Sequence, residues 1–145
     1  MNHSSKTDSQ SVKVGLGVMI FKDGKVLLGR RKGSHGEGEY AWPGGHLEYM
    51  ESIKECARRE VREETGMEIK NIRFLRIYNL KEYAPKHYLD IGMIADWAKG
   101  EPKVREPHRI ESWSWYDPGH LPQPLFTTIP SYFEAYQTGR NFFDY

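Results

Sequence analysis

The chain has a single cysteine, Cys56, so no intramolecular disulfide can form. A fold without covalent staples rests on its hydrophobic core, and a lone thiol points to a reducing compartment. Charge of one sign is also scarce. Lys and Arg number 21 against 20 Asp and Glu, a formal net charge of +1. No global field therefore draws the protein to nucleic acid or to a membrane surface. No apolar run approaches the ~20 residues of a membrane span. The opening residues, MNHSSKTDSQSV, lack the apolar stretch of a signal peptide. These absences predict a cytoplasmic protein that binds neither nucleic acid nor membrane, with residues 1–12 as a flexible arm and 13–145 as one domain. A length of 145 residues is enough for a real core, and a content of 38% hydrophobic and 13% aromatic residues argues against disorder.

What is present is an alternation of strand-like and helix-like segments. Val12 to Phe21 is rich in Val, Ile and Met, Asp23-Gly24 follows, and then "KVLLGRR". Two apolar runs around Asp-Gly predict a hairpin. Gly15 and Gly17 inside the first run mean either a bulge or the close approach of another group. Lys32 to His46 is a glycine-rich loop region with a short extended piece around Tyr40 to Trp42. Ile72 to Leu80, His87 to Trp97 and "IESWSWY" read as strands, and Ile129 to Gly139 as a terminal helix opened by Pro130. Strands flanking two helical segments give a mixed α/β or α+β class.

The segment "CARREVREETG" (Cys56 to Gly66) carries the chemistry. On a helix over Ser52 to Glu64, at ~100° per residue, Ile53, Cys56 and Ala57 form one stripe aimed at the core. Lys54, Glu55, Arg58 and Arg62 fall opposite, in water. Continued along the helix, the inward stripe meets Glu60, Glu63 and Glu64. Exposed i,i+4 ion pairs would contribute only ~0.2–0.5 kcal/mol each, and they do not account for three acids on the face that should be apolar. Glu60 and Glu64 repel each other, and burial sharpens that repulsion. A hard divalent cation removes the conflict, because oxygen ligands at i, i+3 and i+4 can converge on Mg²⁺. "WPGGH" precedes the helix, where Gly44 and Gly45 can offer a backbone carbonyl without side-chain bulk.

Gly45, then Glu51, Arg59-Glu60-Val61, Glu63-Glu64 and Gly66-Met67 fill nine specified positions over 23 residues. This pattern resembles the Nudix box. "LLGRRKGS", "WPGGHLE" and "ESWSWY" are similar to the MutT-type subgroup that hydrolyses nucleoside triphosphates. The resemblance implies the Nudix fold, a mixed β-sheet sandwiched between α-helices with the box as a loop–helix–loop. It implies a pyrophosphohydrolase that cleaves the diphosphate linkage of a nucleoside diphosphate derivative with Mg²⁺, or Mn²⁺ in its place. It makes Glu60, Glu63 and Glu64 metal ligands together with the Gly45 carbonyl, sets Arg59 to hold a box glutamate by an ion pair, and gives Glu51 a supporting role. One of Glu63 and Glu64 would be the base for the attacking water. A homodimer is common in the family.

Recognition residues are less sharply marked. Arg30 and Arg31 end the hairpin and can meet a phosphate chain, or simply face solvent. Glu111 shares a strand face with Trp113 and Trp115, which offers a further metal ligand or base beside a stacking wall, although tryptophans in that alternation also serve a core. By resemblance, "PLF" at Pro124 to Phe126 is a base-pocket segment with Phe126 against the base. The subgroup likeness favours a modified nucleoside triphosphate, cut to monophosphate and pyrophosphate. Dinucleoside polyphosphates, ADP-ribose and nucleotide sugars are the alternatives, as is a non-catalytic nucleotide sensor. The tail motif of the NADH-directed members is absent.

Overall fold

The computed structural model describes residues 10–33 and 35–145; most of the predicted arm, residues 1–9, lies outside the described residues. A long first strand, β1 (Val12–Lys22), turns tightly into β2 (Lys25–Arg31). Short strands β3 (Tyr40–Ala41) and β4 (Gly44–His46) follow. Helix α1 (Ile53–Thr65), strands β5 (Glu68–Leu80) and β6 (His87–Lys99), strand β7 (Ile110–Tyr116), helix α2 (Ile129–Thr138) and the two-residue β8 (Phe142–Phe143) complete the order. The strands form one mixed sheet with the path β3-β2-β1-β6-β5-β8, with β4 paired to β1 and β7 paired to β2.

Strand β1 organises the molecule. It runs parallel to β6 from Val12↔His87 to Phe21↔Asp96. On its other side it pairs with β4 at Gly15–Gly17, and with β2 only at the turn. Strand β2 leaves to pair with β7 and β3. The sheet therefore splits beside β1, and a cleft opens at the split.

The two-residue periodicity of a strand distributes β1 between two cores. Leu16, Val18 and Ile20 join Leu27, Cys56, Ala57 and Val61 beneath α1. Met19 joins Val26, Leu28, Trp42, Ile129 and Tyr132 beneath α2. The expected sandwich of a mixed sheet between helices is what the chain forms. Each fully buried Val, Ile or Leu in these layers contributes about 1.5–3 kcal/mol by leaving water.

The β1–β6 register passes through Gly15 and Gly17 without interruption, so neither glycine marks a bulge. Gly17 is small because Tyr132 of α2 lies on it; an added Cβ would overlap the phenol oxygen. Helix α1 starts at a capping box, with Ser52 accepting from the Glu55 N–H and the Glu55 carboxylate accepting from the Ser52 N–H. It stops at Gly66 in the left-handed region. The apolar part of the predicted inward stripe departs from expectation at its first residue. Ile53 is 39% exposed, because it occupies the first turn, beyond the edge of the sheet-facing core.

Candidate active site

Two glycine contacts fix how closely β4 lies against its neighbours, α1 on one side and β1 on the other. An added Cβ at Gly45 would overlap the Glu60 carboxylate, and one at Gly44 would overlap the Leu16 carbonyl oxygen. Glycine at Gly45 therefore lets a carboxylate of α1 lie directly against the β4 backbone.

Arg59 ties this junction together. Its Nε donates to Glu51 Oε2 at 2.6 Å and its Nη2 to Glu51 Oε1 at 3.0 Å, a bidentate pair. Its Nη1 donates to Glu60 Oε1 at 2.6 Å, and its Nη2 also reaches the His46 carbonyl at 3.0 Å. One guanidinium thus binds the loop glutamate, a helix glutamate and the end of β4. The Arg59 bonds hold the Glu51 carboxyl down at about 2, well below the usual carboxylate range.

The three helix carboxylates do not share one environment. Glu60 and Glu64 are buried, at 6% and 4% exposure. Glu63 lies at the rim with its side chain half exposed, at the 3.4 Å edge of Arg59's reach. The predicted inward trio is therefore an inward pair with a third acid beside it, because i and i+4 share a face while i+3 is turned toward its margin. Burial raises the Glu60 carboxyl, and Arg59 opposes that rise. Burial pushes Glu64 up to about 8, against a single opposing hydrogen bond in which the Gly44 N–H donates to Oε2 at 3.2 Å.

Among the described residues, no three His, Cys, Asp or Glu side chains are gathered at metal-binding distance. The donor set nonetheless fits a hard cation. It consists entirely of oxygen, two of its carboxylates are desolvated, and a glycine at Gly45 leaves the backbone bare against one of them.

Beside these acids the split in the sheet holds a cavity of about 290 Å³. Glu64, Gly44 and Gly45 line it, as do Arg31, Lys32, Lys86 and Arg109. Arg31 donates to the His35 carbonyl at 3.2–3.3 Å, and its guanidinium lies 4.5 Å from the Phe126 ring centroid. Among the described residues no carboxylate pairs with it, and burial lowers its proton affinity. Phe126 stacks on Tyr83 at 5.1 Å and 12°, with His35 4.7 Å from Tyr83. The Phe126 ring is thus already engaged by Tyr83 and Arg31, and only 8% of the residue is exposed.

Two further candidates are placed elsewhere. Arg30 and Glu111 form an ion pair with each other across β2 and β7, both partly exposed, and neither lines the cavity. Trp113 and Trp115 pack against the core beneath α1, and Trp113 Nε1 donates to the Glu64 carbonyl at 3.2 Å. Sequence reasoning passed over four cavity residues. Lys86 and Arg109 look like ordinary surface charge in the sequence. Asp90 and Tyr132 lie on the cavity floor, with Arg76 buried behind them. The signal for Asp90 and Arg76 was a charge in the middle of an apolar strand, "YLDIGMIA" and "RFLRIY".

A family model described as the NUDIX domain matches residues 12–137. An ADP-ribose pyrophosphatase of Methanocaldococcus jannaschii is 33% identical over 114 residues, 78% of this chain and 66% of that protein. A NAD-capped RNA hydrolase NudC of Vibrio atlanticus is 31% identical over 105 residues, 72% of this chain and 37% of that protein. The chain thus spans about two-thirds of the first relative and little more than a third of the second. Among solved structures, the MutT NUDIX hydrolase from Burkholderia pseudomallei superposes with a TM-score of 0.81 at 31% identity, covering 86% of this chain and 98% of that one. The glycine-backed carboxylates and the guanidinium that ties them therefore stand inside a match running through nearly every strand and both helices, and the chain belongs to the NUDIX family.

Proposed function

We propose that the protein is a Mg²⁺-dependent hydrolase, with Mn²⁺ able to substitute, that cleaves the diphosphate linkage of a nucleoside diphosphate derivative. Its preferred substrate in this reading is a modified nucleoside triphosphate, cut to monophosphate and pyrophosphate. One observation carries the proposal. Glu64, desolvated and nearly unpaired, lines the same cavity as four cationic side chains, Arg31, Lys32, Lys86 and Arg109. Anionic phosphates satisfy the cations, and a cation held with the phosphates satisfies the acids.

Glu60, Glu63, Glu64 and the Gly45 carbonyl are the groups that would hold the metal. When bound, the metal supplies charge neutralisation for the phosphate oxygens and acidifies a water molecule. The chain's own residues do the rest. Arg59 fixes Glu60 against β4 through its bonds to Glu51 and the His46 carbonyl. Arg31, braced by Phe126, and Lys86 and Arg109 hold the phosphate chain. Water oxygen bonds to phosphorus as the bond from phosphorus to the bridging oxygen breaks. The water proton passes to a carboxylate of the Glu63/Glu64 pair.

The test is a panel of nucleotides with Mg²⁺ or Mn²⁺ and product identification, run in ¹⁸O-labelled water to locate the attacked phosphorus. No turnover of any nucleoside diphosphate derivative would overturn the proposal. A second reading, hydrolysis of ADP-ribose, is favoured by the likeness to the archaeal ADP-ribose pyrophosphatase. The same panel separates it, with dinucleoside polyphosphates and nucleotide sugars included. In either case the substrate is a free nucleotide and the setting cytoplasmic.

A further inference from the structure

Among the cations that line the cavity stands a group able to change its charge. His35, on the β2–β3 connection, lines the cavity together with Arg31 and Lys86. Lys86 lies on the β5–β6 connection, 51 residues away, and its Nζ is 3.2 Å from His35 Nδ1. An ammonium carries only donors, so Lys86 donates and Nδ1 accepts. That bond exists only while Nδ1 has no proton. The ring so held is neutral, with its one proton on Nε2.

The surroundings of His35 are cationic and aromatic. Arg31, at the end of β2, donates through Nε and Nη2 to the His35 carbonyl at 3.3 and 3.2 Å. Tyr83 of the β5–β6 connection lies 4.7 Å from the imidazole, Phe126 6.1 Å and Tyr88 of β6 6.3 Å, centroid to centroid. Among the described residues no carboxylate pairs with the imidazole, and Glu39 accepts from the Tyr83 hydroxyl at 3.3 Å instead. Burial, then Arg31 and then Lys86 lower the proton affinity of His35 below its ordinary value. The aromatic faces act the other way, since they favour an imidazolium. The charge of His35 therefore turns on whether something offsets the two cations beside it.

A phosphate is such a group. Two donors 3.2 Å apart can both reach one acceptor oxygen at the ~2.8 Å of a charge-assisted hydrogen bond, because that triangle closes with neither residue displaced. The bond from Lys86 to Nδ1 is then exchanged for two bonds to the anion, one from the ammonium and one from a protonated Nδ1. A neutral ring in the present tautomer would instead turn a lone pair toward an anion bound at Lys86.

We propose that His35 binds the phosphate chain of the substrate and takes up a proton as it does so, forming a further cation only when the anion enters. The inference rests on the reading of the cavity as a nucleotide site and adds a pH dependence to it. The proton comes from solvent and returns there on release, so His35 takes no part in bond cleavage.

The experiment follows the imidazole Cε1–H signals by NMR from pH 5 to pH 9 in EDTA, with and without inorganic tripolyphosphate. This probe requires no metal, base or turnover. The His35 signal is the one lost in His35→Gln. Alone, His35 should titrate below 6.5; with saturating probe its midpoint should rise by at least about one pH unit, which is a tenfold gain in affinity for the protonated form. Glutamine can still accept from Lys86 but cannot become charged. His35→Gln should therefore bind the probe about tenfold more weakly than wild type at pH 5 and within about twofold of it at pH 8.5, a ratio in which the titration of the probe itself cancels. His35→Lys stays charged and should bind at pH 8.5 at least as tightly as wild type. An unmoved His35 midpoint, a His35→Gln deficit equal at both pH values, or no binding of tripolyphosphate overturns the proposal. A deficit in His35→Lys matching that of His35→Gln marks a role in shape alone and overturns it too. A raised midpoint without turnover of any nucleotide would sink the hydrolase reading alone, and turnover with the midpoint unmoved would sink this inference alone.

Discussion

Glu64→Gln should make the metal-free protein more stable while abolishing its activity. The Glu64 carboxyl is pushed up to about 8 from an ordinary 4.5, with burial as the largest cause. Between those two values the native state holds a proton that the unfolded chain has released, so stability falls as pH rises from 4.5 through 8. At pH 7.5 the shortfall is about 3 pH units at 1.36 kcal/mol each, or roughly 4 kcal/mol. Glutamine removes that loss and keeps an oxygen for the Gly44 N–H, but buries an amide without a partner, which costs about 1–2 kcal/mol. The net expectation is a gain of ~2 kcal/mol, about 6 °C in Tm for a chain of this size. The assay is thermal unfolding in EDTA at pH 5 and pH 7.5. Wild type should lose stability between these values, and Glu64→Gln should lose less. Added Mg²⁺ should raise the wild-type Tm and leave the variant nearly unmoved, because a ligand that binds the native state stabilises it by mass action. A variant less stable than wild type at pH 7.5 in EDTA would show that Glu64 is not a desolvated acid waiting for a cation.

Three further outcomes follow from the same geometry. Arg59→Lys should lower kcat about 100-fold and stability by about 2 kcal/mol, since an ammonium cannot bond Glu51 bidentately while also reaching Glu60, and urea unfolding with steady-state kinetics checks both values. Glu51 gives the opposite pH signature to Glu64. Its folded value of about 2 lies below the ordinary 4.5, so its stabilisation is complete above pH 4.5 and disappears as pH falls toward 2; Glu51→Gln should flatten the acid limb of a Tm-against-pH curve, and an unchanged limb would count against the Arg59 bonds. Gly45→Ala should fold, by circular dichroism, yet lose about 100-fold in activity, because its methyl displaces the Glu60 carboxylate.

The legible part of this fold was the part governed by local chemistry. Asp-Gly between two apolar runs gave the β1–β2 turn, and the helix expected over Ser52 to Glu64 forms as Ile53–Thr65. Glu60 and Glu64 lay on the inward stripe because four residues make roughly one turn. What escaped depends on partners distant in the chain. β4 and β8 are two or three residues long and exist only because β1 and β5 offer edges to them. The pairing of Glu111 with Arg30 comes from the β2–β7 register, which no spacing along the chain reveals. Phe126 lines the cavity, and its contacts with Tyr83 and Arg31 join residues forty-three and ninety-five positions apart, beyond the reach of local pattern. Asp90 and Arg76 are the instructive case. Each breaks the apolar pattern of its own strand, and each alone would be a costly buried charge. Only the antiparallel β5–β6 pairing, with Arg76 next to Gly92 and Tyr78 opposite Asp90, brings the two violations together. Taken as a pair they offset each other's burial, with Asp90 on the cavity lining. A charge that violates strand patterning is therefore best read with the question of which other violation it meets across the sheet.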